Sequence, residues 1–481
     1  MALGNDPHAA LAAFNRFGLG PKPGDLALAQ SDPRGFLLEE LRSSYAGVIG
    51  AGELPTTRKA LQTLFLDQYE KRMAREAAAM APPQAAAMEG KPQEGKPQEG
   101  KPQEDKQKPK EPSAEQKIFR EEAMARFLAQ SSARSGLIER LVAFWSNHFA
   151  VSVAKGGFVR ACAGAFEREA IRPHVLGKFA DLLIAVEQHP AMIFFLDNQR
   201  SIGPGSHAGR LDGKGLNENL AREILELHTL GVDGGYSQAD VTTLARIITG
   251  WSFAEPASET GEPGAFLFKS NWHEPGAQTL LSRVYDESGR AQGEAALRDL
   301  ARNPATARHI ATKFARCFVA DQPPRELIEA LTKNFLQTDG DLRELCRTLI
   351  GHDAAWRTPA TKIRTPQEFV VAAIRATGFP LKEPGPALNV INALGMPLWQ
   401  PGGPNGFADI ASVWASPEQM KLRLDASWQM AQRVKDVEPM AALETAFGEA
   451  ASRETREAVA RAESRPQALA LLFMSPEFQR R

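Results

Sequence analysis

Apolar residues recur along most of the chain at the three- and four-residue intervals of an α-helix, most sharply in residues 215–231. At about 100° per residue, Leu220, Ala221, Ile224, Leu225 and Leu227 share one face. Asn217 is placed to cap this helix and Gly231 to end it in a left-handed residue. The opposite face is polar: Glu218, Arg222 and Glu226 form one row, and Asn219, Glu223 and Glu226 a second. A solvated ladder, with Arg222 bridging Glu218 and Glu226, is one reading, each pair adding about 0.3–0.5 kcal/mol. The other is a cleft in which Glu223 and Glu226 converge on a cation or a polar substrate. His228 projects toward Ala221 and reads as a hydrogen-bonded core histidine.

Helical periodicity also marks 57–80, 114–130, 137–151, 159–171, 174–188, 238–249 and nearly everything from 294 to 474. Leu137, Leu141, Phe144, Trp145 and His148 occupy one arc, which puts His148, next to Asn147, on a buried face. Strand character is confined to 254–292, where 265–269 and 279–281 are expected to pair as a small hairpin. Between them His273 and Glu274 either bind a metal or tie the turn together. The glycine-rich loop 199–215 is a connector or a lid. Residues 394–407 are stiff and aromatic, and should pack Trp399 and Phe407 onto the helices or line a cleft. The pattern predicts an all-α, predominantly helical multi-helix bundle. It forms one domain, or two helical lobes at about 1–250 and 293–481.

Glu-Gly-Lys-Pro-Gln occurs three times in tandem within 89–103. Such a polar, proline-rich stretch cannot offset the entropy of ordering it, so 82–113 is expected to be a disordered, low-complexity insertion between two antiparallel helices. A tolerated loop expansion is favoured there over a docking motif. With 57 Lys and Arg against 58 Asp and Glu, the 481-residue chain has a net charge of −1, which gives no reason to expect nucleic acid or an anionic membrane as partner. A protein partner stays open. Cys162, Cys317 and Cys346 are scattered, forming neither a disulfide framework nor a zinc-cysteine site. No apolar run reaches transmembrane length, and Met1–Pro7 has neither the basic nor the apolar region of a signal peptide. A cytoplasmic location follows for the chain as written, with export left open for one trimmed of a leader. No Gly-x-Ser-x-Gly elbow is present, and residues 15–21 lack the Gly-Lys-Ser/Thr ending of a phosphate loop.

Several segments, taken in order, resemble the bacterial family called domain of unknown function 1800. They are Asn15-Arg16-Phe17-Gly18-Leu19-Gly20-Pro21, Phe144-Trp145-Ser146-Asn147-His148-Phe149, Leu196-Asp197-Asn198, the central Asn217 to Leu227, Thr249-Gly250-Trp251, His273-Glu274 and the 394–407 loop. Family members typically carry His-Asp where this chain has His273-Glu274, so the carboxylate is kept with one methylene more. The resemblance implies a predominantly helical bacterial protein and no established catalytic mechanism.

These polar motifs supply imidazole and carboxylate, a mixture suited to acid/base work or to a divalent metal ion. The leading expectation is a cleft enzyme, hydrolytic through acid/base or metal-assisted chemistry. His148, Glu223 and Glu226 would form its core, and Arg222 would orient an anionic group. Asn147, Asp197, Asn198, Glu218 and Asn219 would contact substrate, and His148, Glu223, Glu226 and His273 would be the metal ligands. The alternative is a non-catalytic binding or assembly protein in which the same residues form a structural network.

Overall fold

Helix starts fall where side-chain oxygens meet exposed backbone N–H groups. Asp32 accepts from the Gly35 amide at 2.9 Å with Pro33 at the first helical position. Ser237 and Thr365 form reciprocal capping boxes with Asp240 and Glu368. The computed structural model describes residues 6–43, 47–49, 54–80, 111–212, 215–258 and 260–481. Of the insertion expected at 82–113, residues 82–110 lie outside the described residues.

The chain is predominantly helical, with two small antiparallel two-stranded sheets among the described residues. Helices α1 (Thr57–Met80) and α2 (Ala114–Ser132) flank that insertion and touch each other, and both pack on α4 (Gly157–Phe166). Helix α3 (Leu137–His148) is buried along most of its length. It is followed by α5 (Phe179–Glu187), α6 (Asn219–Glu223), α7 (Gln238–Ile247), α8 (Pro304–Phe318) and α9 (Pro366–Thr377). One continuous apolar cluster joins Phe14, Trp145, Leu225 and Trp251 to Phe314, Phe369 and Phe473, so both halves of the chain share a core. No helix among the described residues is long and apolar enough to cross a membrane.

Two local readings are corrected. The pairing of 265–269 with 279–281 does not form. Instead β1 (Trp251–Phe253) pairs with β2 (Phe266–Phe268), and β3 (Gln278–Leu280) with β4 (Arg283–Tyr285). β1 follows a helix so closely that it reads as the helix end. The β3–β4 turn places Leu281 and Ser282 at φ of 48° and 64°, the work of a two-residue turn usually done by Asn-Gly, so it carries no sequence mark. The central helix also changes character midway: α6 gives way to a π-helix at Ile224–His228. Asn217 does not occupy the cap position itself, which is Glu218; its Oδ1 accepts from the Asn219 amide at 2.9 Å. Gly231 closes the segment at φ 85°, where a Cβ would lie 2.7 Å from Nδ1 of His309.

Candidate functional site

The last turn of α3 forms one wall of a cavity of about 150 Å³, with α2, α8, α9, the loop around Met396–Asp409 and Arg481 forming the others. The loop is held by reciprocal bonds. Asn147 Nδ2 donates to the Phe407 carbonyl at 3.0 Å, and the Phe407 amide donates to Asn147 Oδ1 at 2.8 Å. Ser152 Oγ donates to the Pro401 carbonyl at 2.8 Å, and the Val153 amide to that of Trp399 at 2.9 Å. Trp399 sits at φ 49°, a left-handed conformation that an L-residue holds only when its surroundings fix it. The aromatic loop thus lines a cleft and packs on the helices, the two roles anticipated for it.

The cavity walls are strongly charged. Glu167, fully buried, accepts from Arg126 at 2.9 Å, Arg172 at 3.0 Å, Ser146 Oγ at 3.0 Å and Trp399 Nε1 at 3.2 Å. Burial pushes this carboxyl up, but the guanidinium groups of Arg126 and Arg172 and the two hydrogen bonds more than compensate and hold it below the usual range. Glu368 pairs with Arg140 at 2.7 Å and Arg481 at 3.0 Å. Against the upward push of burial, these two cations, the Thr365 amide and Lys362 bring it down to about 2. Asp409 pairs with Lys362 at 2.8 Å. Two further cations from α8 line the same space. Lys313 has no hydrogen bond or ion pair among the described residues, and burial lowers its pKa to about 8. Arg316 donates only its Nε, to the Asp321 carbonyl at 3.2 Å.

His148 belongs to the wall of this cavity and is 2% exposed. Its Nε2 lies 3.1 Å from the His228 carbonyl, which can only accept, so Nε2 carries the proton. Burial, then the charges of Lys313, His228 and His309, lower its pKa well below that of a free imidazole. A neutral ring protonated on Nε2 leaves a bare lone pair on Nδ1, and that atom is buried without a partner. His309 repeats half of the arrangement, its Nε2 donating to the Leu227 carbonyl at 3.1 Å. Two imidazoles thereby satisfy consecutive carbonyls at the open end of the π-helix.

The other anticipated residues stand elsewhere. Arg222 bonds Glu218 at 3.2 Å and Gln238 at 3.0 Å, whereas Glu226 meets the Tyr236 hydroxyl, so the expected three-membered ladder closes on one side only. Glu223 is half-buried and its carboxyl is raised, by burial first. Asn219, like the rest of α6, lies outside the cavity wall. His228 is the core histidine foreseen: its Nδ1 lies 2.7 Å from Glu187 Oε1, both side chains at 0% exposure. Asp197 pairs with Lys155 at 2.6 Å, and Asn198 donates to the carbonyls of Ile248 and Trp251, fixing the entry to β1. His273 Nδ1 donates to the Thr249 carbonyl at 3.0 Å, and Glu274 accepts from the Gly205 amide at 2.7 Å. That turn sews down the glycine-rich loop, since a Cβ on Gly203 or Gly205 would strike Glu274. Among the described residues no three His, Cys, Asp or Glu side chains stand close enough to hold a metal ion. His148, Glu223, Glu226 and His273 therefore form no ligand set here.

Lys313, Arg316, Glu167 and Glu368 escaped the sequence reading. In amphipathic helices, scattered charges resemble a solvated face. One signal was available: Lys313 falls between Ile310 and Cys317 at spacings of three and four, on the flank of the buried stripe of α8. No curated protein and no solved structure matches the chain. The profile of one family, described as "Protein of unknown function (DUF1800)", matches residues 12–480, which hold every residue of the cavity wall except Arg481. By that match, which covers nearly its full length, the chain belongs to the DUF1800 family.

Proposed function

We propose that the cavity beside α3 is the active site of an acid/base enzyme, hydrolytic in type, with His148 as general base. The observation that carries this reading is the unpartnered Nδ1 of a neutral imidazole in the cavity wall whose other nitrogen is fixed on a backbone carbonyl. A base must be unprotonated at working pH and held in one orientation, and His148 meets both conditions. Asn147 takes the anticipated place in the wall, but as the residue that positions Phe407. The buried His228–Glu187 pair, and the ion pair of Arg222 with Glu218, favour the non-catalytic reading for the acidic helix, whose residues Glu218, Arg222, Glu223 and Glu226 are not among those that line this cavity.

His148→Asn is the test. Asparagine can still donate to the His228 carbonyl but offers no base. Assayed on a panel of small esters and amides, the variant should lose about 10²- to 10⁴-fold in turnover while melting within a few degrees of the parent. Equal turnover in the two proteins would sink the assignment.

A further inference from the structure

The α8 wall of the cavity carries two cations, Lys313 and Arg316, that form no ion pair among the described residues, Asp409 and Asp321 acting on them only at longer range. Both inner carboxylates are already engaged, Glu167 by Arg126 and Arg172, and Glu368 by Arg140 and Arg481. Asp409 is held by Lys362. Lys313 and Arg316, one turn apart, have no carboxylate within ion-pairing distance among the described residues. Both side chains are half-buried, and cations that line a cavity without an ion pair are placed to take a ligand that supplies the matching charge. Phe144, Phe166, Trp399 and Phe407 line the same cavity and offer apolar surface. A space of about 150 Å³ holds a ligand near the size of benzene.

Building on the reading of this cavity as an active site, we infer that its substrate or product is a small organic carboxylate with a compact apolar body. The carboxylate would lie against Lys313 and Arg316 and the hydrocarbon against the aromatic walls. Inorganic phosphate would satisfy the cations and leave the aromatic surface dry and unfilled. A neutral aromatic would do the reverse. Only the combination answers both walls.

Calorimetry and thermal shift on the full chain decide the matter, with benzoate and isovalerate as probes and benzamide and inorganic phosphate as controls. Benzoate or isovalerate should bind at millimolar concentration or better and raise the melting temperature. Benzamide and phosphate should bind at least tenfold more weakly. Lys313→Met should weaken the carboxylate at least tenfold. Arg316→Gln should weaken it severalfold and serves as the second variant should the first melt abnormally. Failure of both carboxylates to bind, equal binding of benzamide or phosphate, or unchanged affinity in both variants would each overturn the inference. His148→Asn separates it from the catalytic reading, because carboxylate affinity should stay within about threefold in that variant. Binding that persists in a protein whose turnover does not depend on His148 retires the base and keeps the ligand class. Turnover that depends on His148 with no carboxylate bound retires the ligand class alone.

Discussion

A lysine drawn partly out of water must either keep its proton at the expense of lost hydration or give the proton up. Lys313 does the second more readily than it would in water, its pKa falling from 10.5 to about 8 through burial, with Arg316 acting in the same direction and Asp409 opposing. The folded pKa is therefore depressed, and between these two values the unfolded chain binds more protons than the folded one. Stability contributed by this site is poorest below pH 8 and improves as pH rises toward 10.5. Lys313→Met should accordingly raise unfolding free energy by about 1 kcal/mol at pH 7, with the gain shrinking across the same window. Denaturant melts at pH 7 and pH 10 measure both. A gain that is absent, or constant with pH, would mean that the amine is better solvated than its place in the wall indicates. A residue that weakens the fold where it stands, yet shapes a cavity, is behaving as functional groups commonly do.

The loop that closes the cavity depends on a backbone feature one residue wide. Gly406 adopts φ 73°, and a Cβ there would fall 2.4 Å from the Asn147 carbonyl oxygen and 2.7 Å from its Oδ1. Gly406→Ala should therefore break the paired bonds between Asn147 and Phe407, costing about 1–3 kcal/mol and loosening the wall. A melting curve like that of the parent would show that the loop is not pinned there. Such fine contacts are not legible in a chain read linearly, but the elements bearing them largely are. Helical periodicity placed His148 on a buried face, as found. What stayed hidden lacks a local signal. The π-helix at Ile224 keeps an α-like spacing of apolar residues, and its widened turn is closed by Thr229 Oγ1, which donates to the Ile224 carbonyl. The strands are three residues long, too short to show alternation. The acidic stripe of the central helix drew the eye because its charges are dense in sequence. The charges that shape the cavity come instead from α2, α3, the turn after α4, α8, α9, the 396–409 loop and Arg481, and meet only on folding.

Long-range joins of one kind recur through the fold: a buried cation or imidazole from one element satisfies the open carbonyls at the end of another. His148 and His309 do this for the π-helix, and Arg16 for the carbonyls of Ala355 and Thr358. Arg140 reaches the carbonyls of Gly18 and Asn15, so the glycine-rich turn near the start of the chain acts as an acceptor for arginines, not as a binder of phosphate. Arg375 is the fullest example. At 1% exposure it donates to the carbonyls of Gly20 at 2.6 Å, Gln130 at 3.0 Å, Ala133 at 2.8 Å and Arg134 at 3.0 Å. It thereby ties α9 to the end of α2 and to the turn at residue 20. Helix ends buried without donors are strongly disfavoured, and here one side chain serves several acceptors at once. Arg375→Met keeps much of the volume and removes every donor, so about 3–5 kcal/mol should be lost. Because the three joined segments belong to one apolar core, tryptophan fluorescence and far-ultraviolet circular dichroism should shift together to lower denaturant. If fluorescence moved and helicity did not, Arg375 would be securing a local corner. If both moved, the guanidinium would be what holds the two ends of the chain around the cavity.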